Sequence, residues 1–166
     1  MADADTEVDA GTDLSGLLDP RRIRLDERAD DRFAAVAQVG AVLVSTGAVD
    51  DAYVASMLDR ERSISTYVGE GVAIPHGTAA GKAAVLSDAL AVLRYPDGVD
   101  WDGFRVEVCI GIAAAGNGHL PVLAALAEIL MDGDRAAALR AATTAAEVRR
   151  LLTEPPTEPG EGDPAP

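Results

Sequence analysis

His76 and His119 are the only two histidines in this sequence of 166 residues, and each follows an apolar run. Pro75 has no N–H to donate to a sheet, so a strand that begins near Gly71 should end there and deliver His76 into a turn. Gly77 allows a sharp turn or the close approach of another molecule. The alternative for His76 is an ordinary strand end whose imidazole makes a local hydrogen bond.

His119 occupies a comparable place later in the chain. It follows residues 106–113, the strongest strand pattern in the sequence, and precedes an apolar helix with Pro121 in its first turn. Both histidines therefore lie where the chain leaves a strand, and open α/β sheets build their sites at such ends. The alternative for His119 is a helix-capping or loop histidine.

Several kinds of chemistry are poorly supported by these residues. No third ligand accompanies the histidines at metal-binding spacing, so the signal for a metal site is weak. No Gly-x-Ser-x-Gly motif is present, and Cys109, the only cysteine, lies in an apolar run that favours packing over reactivity. Neither glycine-rich nucleotide-binding motif occurs. What remains is covalent catalysis by an imidazole that forms a transient bond to phosphorus.

Phosphoryl transfer needs positive charge or hydrogen-bond donors around the phosphoryl oxygens. His119, the helix that starts beside it and Arg60 are the candidates. Arg62 lies two residues further along, and the sequence does not choose between the two arginines. The alternative for this segment, Arg60-Glu61-Arg62, is a solvated helix end. Without a nucleotide site, the phosphoryl donor would be another phosphoprotein.

Composition limits the possible partners. The net charge of −14 argues against nucleic acid and anionic membranes as partners. No apolar run is long enough for a membrane-spanning helix, and the acidic start is unlike a signal peptide. A single cysteine suits the cytoplasm. We expect disordered acidic tails at residues 1–17 and 153–166, around one domain at residues 18–152.

The elements that must position the histidines alternate between strand and helix patterns. They predict an α/β fold with a single small mixed β-sheet flanked by helices on both sides. Residues 106–113 are expected to form a central strand, because their apolar character is nearly continuous. Asp30 and Asp50 are predicted N-caps of two helices. The other predicted strands are an edge strand at 22–25 and three runs at 66–68, 72–74 and 89–93. A turn at 95–98 is expected to end the last of them. The other predicted helices are 78–86, one beginning at Leu120, 134–141 and 144–152.

Linked segments of the chain resemble a known family. These are residues 57–61 (MLDRE), 66–78 (TYVGEGVAIPHGT), 95–101 (YPDGVDW) and 110–114 (IGIAA), followed by His119-Leu120 before an apolar helix. They are similar to the IIA component of bacterial phosphoenolpyruvate-dependent sugar phosphotransferase systems, of the mannitol/fructose class and most like its mannitol branch. The resemblance runs from about Leu18 to Leu152.

The resemblance implies a cytoplasmic phosphotransferase component with a phosphohistidine intermediate. His76 matches the histidine that accepts a phosphoryl group from the phosphocarrier protein HPr and passes it to a cysteine of a IIB component, for uptake of mannitol or a related hexitol or fructose. His119 matches the second active-site histidine, which helps to position and stabilise that group. Arg60 matches an arginine near the site. Family members use no metal and no nucleotide, and are not inserted in the membrane.

The alternative is a regulatory, nitrogen-type IIA protein that binds other proteins according to its phosphorylation. The segments around Tyr67 and Tyr95 favour the transport type. Neither tail matches a family motif, and we expect a free-standing IIA protein.

Overall fold

The structure is a computed structural model that describes residues 14–115 and 119–153. Its regular elements are few and mostly short. The strands are β1 (Ile23–Arg24), β2 (Tyr67–Gly69), β3 (Val72–Ala73), β4 (Ala89–Trp101) and β5 (Phe104–Ala113). The helices are α1 (Arg32–Ser45), α2 (Asp51–Ser63), α3 (His119–Leu130), α4 (Gly133–Arg140) and α5 (Ala145–Thr153), with 3-10 turns at Ser15–Leu17, Pro20–Arg22 and Ala79–Ala84.

The five strands form one mixed sheet in the order β1-β4-β5-β3-β2. The long strands β4 and β5 pair as an antiparallel hairpin. β1 joins β4 and β3 joins β5 in the parallel sense, whereas β2 runs antiparallel to β3. The predicted mixed α/β sheet is confirmed, with β5 in the middle and β1 at an edge.

Helices cover both faces of the sheet, as predicted. α1 and α2 pack on one face in a core that includes Cys109, and α3, α4 and α5 pack on the other in a core that includes Ile110. These neighbours on β5 serve opposite cores because successive side chains of a strand point to opposite faces. The near-continuous apolar pattern of β5 follows from this burial on both sides.

The caps of the first two helices were predicted with mixed success. Asp50 caps α2, as expected, and its Oδ1 accepts a hydrogen bond from the backbone N–H of Ala52 at 3.1 Å. For α1 the predicted cap Asp30 is wrong by one residue. The extended backbone of Asp31 places its Oδ1 2.8 Å from the backbone N of Ala34, which satisfies an N–H of the first turn.

The strand β4 is longer than the sequence predicts. The turn expected at residues 95–98 does not end it, because pairing with β5 resumes after a register shift between Arg94 and Val99. The intervening residues form a bulge, which places turn-favouring side chains inside a paired strand. The chain reverses instead at Asp102 and Gly103, whose φ angles are 58° and 97°. The prediction of a strand end at residues 95–98 was therefore wrong.

The limits of the domain also differ from the expectation. Leu14 is only 2% exposed and packs in the core beneath α3 and α5, so the predicted start at Leu18 is four residues too late. Residues 1–13 and 154–166, which make up most of the two expected tails, lie outside the described residues. Among the helices that are described, none combines the length and apolar character needed to cross a bilayer.

Candidate functional site

The backbone around His76 continues the sheet beyond the end of β3. His76 forms a parallel bridge with Ile112 of β5, and the backbone N–H of Ile112 donates to the carbonyl of Pro75 at 2.9 Å. Pro75 lacks an N–H, but its carbonyl still takes part in the ladder. His76 is thus held beside the last residues of the central strand, at the strand end that the sequence predicts.

The imidazole of His76 makes a local hydrogen bond that sets its chemistry. Its Nδ1 lies 2.9 Å from the carbonyl oxygen of Ile74. A carbonyl oxygen can only accept, so Nδ1 must carry the proton. In the neutral ring the lone pair then resides on Nε2, which is the nucleophilic nitrogen. This is the local hydrogen bond expected of an ordinary strand end. It also leaves the ring with a nucleophilic nitrogen, as covalent chemistry requires.

A small pocket of about 70 Å³ opens beside His76. Among the described residues that line it, Lys82 is the one with a cationic side chain, and it is the only lysine in the sequence. Lys82 reaches the pocket because residues after His76 fold into the 3-10 turn Ala79–Ala84 and not into the longer helix predicted at 78–86. The pocket is lined by Tyr53, His76, Gly77, Thr78, Lys82 and Ala114, together with Ala79.

Gly77 is required by the close approach of α2. A β-carbon at this position would lie 2.4 Å from Oγ of Ser56 and 2.6 Å from Cε1 of Tyr53. The backbone N–H of Gly77 donates to the hydroxyl of Tyr53 at 2.9 Å, and that hydroxyl donates to the carbonyl of Ile112 at 2.7 Å. The molecule that approaches Gly77 is therefore another part of the same chain.

Tyr53 supplies this hydroxyl from a buried position on α2. Burial raises the pKa of the Tyr53 phenol above its ordinary value, although the hydrogen bond from Gly77 acts in the opposite direction. The phenol is thus protonated at neutral pH and both donates and accepts. Tyr53 and Lys82 were not among the residues that the sequence predicted for the site. A lone lysine six residues after His76 is a signal that could have drawn attention to Lys82.

The two candidate arginines lie in the last turns of α2. Arg60 is partly buried and donates from its guanidinium to the carbonyl of Ile64 at 2.6 Å, just beyond the end of the helix. Arg62 is exposed and pairs with Asp59 at 2.7 Å. Neither contact involves His76, so the assignment of Arg60 to the site stays a prediction.

Glu61, between these arginines, does not fit the alternative expectation of a solvated helix end. It is 1% exposed. Its carboxylate accepts from the hydroxyl of Thr66 at 2.6 Å and from Nε1 of Trp101 at 3.0 Å, and lies 3.5 Å from Nε of Arg32. That expectation was wrong for Glu61 because the end of α2 turns one side inward, against the sheet.

His119 is the first residue of α3. The helix therefore begins after the end of β5, one residue before the predicted Leu120. The side chain of His119 and residues 116–118 lie outside the described structure, so the predicted meeting of His119 with His76 stays a prediction.

Cys109 is fully buried in β5. Burial raises the pKa of its thiol well above the ordinary value, which keeps the sulfur protonated. The thiol therefore acts as a packing group, as the apolar run predicts. Within residues 14–115 and 119–153, no three His, Cys, Asp or Glu side chains are grouped so as to hold a metal ion.

The fold and the strand-end histidine are those of a protein family. The family model for the phosphoenolpyruvate-dependent sugar phosphotransferase system, EIIA 2, matches residues 16–154. The chain belongs to this family. It is a phosphotransferase-system IIA component and is homologous to IIA proteins of the mannitol type.

Two relatives illustrate the match in sequence. The mannitol-specific phosphotransferase enzyme IIA component of Staphylococcus aureus (strain Mu50) is 37% identical over 141 residues, which cover 85% of this chain and 98% of that protein. The multiphosphoryl transfer protein of Escherichia coli O157:H7 is 44% identical over 136 residues. These are 81% of this chain but only 36% of that relative, so the chain spans about a third of its length.

Two solved structures illustrate the match in fold. The complex of enzyme IIA and phosphorylated enzyme IIB of the mannitol system from Escherichia coli aligns with a TM-score of 0.76 and 35% identity, over 82% of this chain and 98% of that chain. The nitrogen regulatory protein IIA-Ntr from Neisseria meningitidis aligns with a TM-score of 0.72 and 27% identity, over 84% and 98%. The nitrogen-type alternative is therefore less supported than the mannitol type.

Proposed function

We propose that this chain carries a phosphoryl group on Nε2 of His76, taking it from phospho-HPr and passing it to the cysteine of a IIB component. The observation that carries the proposal is the hydrogen bond of 2.9 Å between Nδ1 of His76 and the carbonyl of Ile74. It leaves the lone pair on Nε2, the nitrogen that must attack phosphorus.

Each transfer exchanges one bond to phosphorus for another. In the first, Nε2 of His76 forms a bond to phosphorus while the nitrogen–phosphorus bond of the donor histidine breaks, and the electron pair leaves with the donor imidazole. In the second, the thiolate of the IIB cysteine forms a sulfur–phosphorus bond and the lone pair returns to Nε2. The carbonyl of Ile74 accepts from Nδ1–H throughout and stabilises the positive charge that develops on the ring.

The phosphoryl group needs compensating positive charge, because it carries nearly two negative charges at neutral pH. We assign Lys82 to this role, since it lines the same pocket as His76. From the family resemblance we also assign His119 and Arg60, as groups that position the phosphoryl oxygens. α3, which begins at His119, is expected to direct its first N–H groups at the same oxygens.

The partners follow from relatives of this chain. A similar mannitol IIA protein from Escherichia coli forms a complex with phosphorylated IIB, which supports a IIB component as the acceptor here. We propose mannitol as the sugar, because the similar protein of Staphylococcus aureus is mannitol-specific. HPr as donor, the cytoplasm as compartment and a carrier domain that contains residues 18–152 complete the proposal.

The test is phosphorylation in a reconstituted system. The chain is incubated with enzyme I, HPr and phosphoenolpyruvate, and its intact mass is measured before and after acid treatment. We expect one acid-labile phosphoryl group in the wild type and none in His76→Ala. His119→Ala should fold and accept the group more slowly, and Arg60→Ala should be slower than its matched control Arg62→Ala. A wild type that accepts no phosphate contradicts the proposal.

The acceptor step separates transport from regulation. The phosphorylated chain is mixed with the IIB domain of a mannitol permease or, in parallel, of a fructose permease. Transfer to the mannitol IIB domain supports the proposed sugar, and transfer only to the fructose IIB domain replaces it. A chain that is phosphorylated by HPr but passes nothing to either IIB domain would favour the nitrogen-type regulatory alternative.

A further inference from the structure

We propose that Tyr53 is a positioning residue of this site, whose hydroxyl fixes the turn at Gly77 and thereby holds the imidazole of His76 in one orientation and one tautomer. Its effect on phosphoryl transfer rests on the proposed function. Its effect on the His76 ring does not, and the two can be measured separately.

The hydroxyl of Tyr53 bridges the two segments that meet at the site. It accepts from the backbone N–H of Gly77 at 2.9 Å and donates to the carbonyl of Ile112 at 2.7 Å. Gly77 is the residue after His76, and Ile112 is the residue that bridges to His76 in the sheet. One buried hydroxyl therefore joins the chain on one side of His76 to its partner strand.

Two further hydrogen bonds hold the chain on the preceding side of His76. Nδ1 bonds to the carbonyl of Ile74, and the carbonyl of Pro75 accepts from the N–H of Ile112. These two bonds fix the segment before His76, and the bond from Gly77 to Tyr53 fixes the backbone after it. Without that hydroxyl the N–H of Gly77 loses this acceptor, and we expect the turn and the ring of His76 to be held less firmly.

The ring of Tyr53 reinforces this placement by contact. A β-carbon at Gly77 would lie 2.6 Å from Cε1 and 2.8 Å from Cζ of Tyr53, so the turn already packs tightly on the aromatic ring. Tyr53 also lines the pocket that holds Lys82. A turn that moves away from Tyr53 therefore changes the position of His76 relative to the cation that would face the phosphoryl group.

The hydroxyl acts by position and not by exchanging protons. Burial raises the pKa of the Tyr53 phenol, which keeps its proton in place at the neutral pH of the transfer. The phenol therefore keeps the proton that it donates to Ile112, while its oxygen accepts from Gly77.

Tyr53→Phe is the variant that tests this role, because it keeps the ring and removes the hydroxyl. Tyr95→Phe is a matched control. Tyr95 is also buried, and its hydroxyl donates to Oε1 of Gln38 at 2.7 Å, outside the pocket of His76. Both variants remove the hydroxyl of a buried phenol. Tyr53→Phe loses two hydrogen bonds and Tyr95→Phe loses one, but only Tyr53→Phe touches the turn.

The direct measurement is the ¹⁵N spectrum of the histidine rings in protein labelled at histidine, with the signals of His76 assigned by their loss in His76→Ala. The wild type and Tyr95→Phe should show His76 protonated on Nδ1, whereas Tyr53→Phe should show shifts averaged toward the other tautomer. Single-turnover transfer from phospho-HPr should slow by about tenfold in Tyr53→Phe only.

Each outcome decides the proposal. An unchanged His76 spectrum in Tyr53→Phe overturns it, and so does equal slowing of both variants, which would reflect general loss of stability. If the wild type accepts no phosphate, the proposed function fails but the spectra still decide whether Tyr53 positions the ring. If Tyr53→Phe does not fold, amide exchange in the wild type decides: a Gly77 N–H that exchanges rapidly is not held by Tyr53, and the proposal falls.

Discussion

Nε1 of Trp101 donates a hydrogen bond of 3.0 Å to Oε2 of Glu61, across 40 residues of sequence. Both side chains are almost completely buried. The bond joins the last turn of α2 to the tip of the hairpin of β4 and β5. Because Glu61 follows Arg60 directly, this bond also restrains the backbone at the end of α2, which carries the predicted arginine of the site.

We predict that Glu61→Ala strongly destabilises the protein. The change leaves the buried donors of Thr66 and Trp101 without their acceptor and removes the nearer of two carboxylates that pair with Arg32. We expect a cost of about 3–5 kcal/mol in the free energy of unfolding. Asp59→Ala, which removes only an exposed pair with Arg62, should cost less than about 1 kcal/mol. Urea unfolding at neutral pH measures both. Equal losses in the two variants would contradict the structural role of Glu61.

We predict that Gly77→Ala destabilises the fold and impairs the site together. The added β-carbon would meet Oγ of Ser56 at 2.4 Å, and relieving that contact should cost about 1–3 kcal/mol. The control is Gly133→Ala, since nothing lies within 4 Å of a β-carbon at that position in α4. It should leave stability unchanged or slightly raised. Thermal unfolding compares the variants, and a Gly77→Ala protein as stable as the wild type would show that α2 does not crowd this turn.

We predict that Lys82→Met slows phosphoryl acceptance by about tenfold or more, because a developing negative charge loses its cation. Lys82→Arg keeps the charge and should retain most of the rate. The wild type offers a second probe, since Lys82 is its only lysine. After reductive methylation with ¹³C-formaldehyde, the Lys82 methyl signal should shift when His76 is phosphorylated. If this signal does not shift and the rate of Lys82→Met is unchanged, Lys82 has no part in the mechanism.

We predict that the free energy of unfolding decreases as pH rises above about 9. Burial raises the pKa of Cys109, Tyr53 and Tyr95 in the folded chain, whereas the unfolded chain ionises near the ordinary values of 9.0 for the thiol and 10.0 for the phenols. Above those values the unfolded state binds fewer protons, so stability is complete below pH 9 and is then lost at up to about 1.4 kcal/mol per pH unit for each group.

Urea unfolding between pH 7 and pH 10.5 checks this dependence. Cys109→Ala should remove the decline between pH 9 and pH 10, where only the thiol contributes, and leave the decline above pH 10. A variant that keeps the full slope from pH 9 would show that the thiol of Cys109 ionises as readily in the folded chain as in the unfolded one.

Several elements of the fold were predictable from local sequence. The apolar run of β5 indicated a central strand, and Asp50 indicated the start of α2, because both signals lie within a few neighbouring residues. In another segment, the local composition predicted the wrong structure. Residues 95–98 have the composition of a turn, but pairing on both sides of them with β5 holds them in a bulge of β4. A partner strand overrides local preference where the two conflict.

Of the site, the sequence alone determined that β3 ends shortly before His76, because Pro75 has no N–H to donate to the ladder whatever surrounds it. It also determined membership of the family, through motifs in a fixed order. Only the tertiary structure decided that Glu61 is buried and that Tyr53 and Lys82 belong beside His76. Tyr53 lies 24 residues before Gly77 and 59 before Ile112, and contacts over such distances depend on how α2 packs on the sheet, which no local pattern encodes.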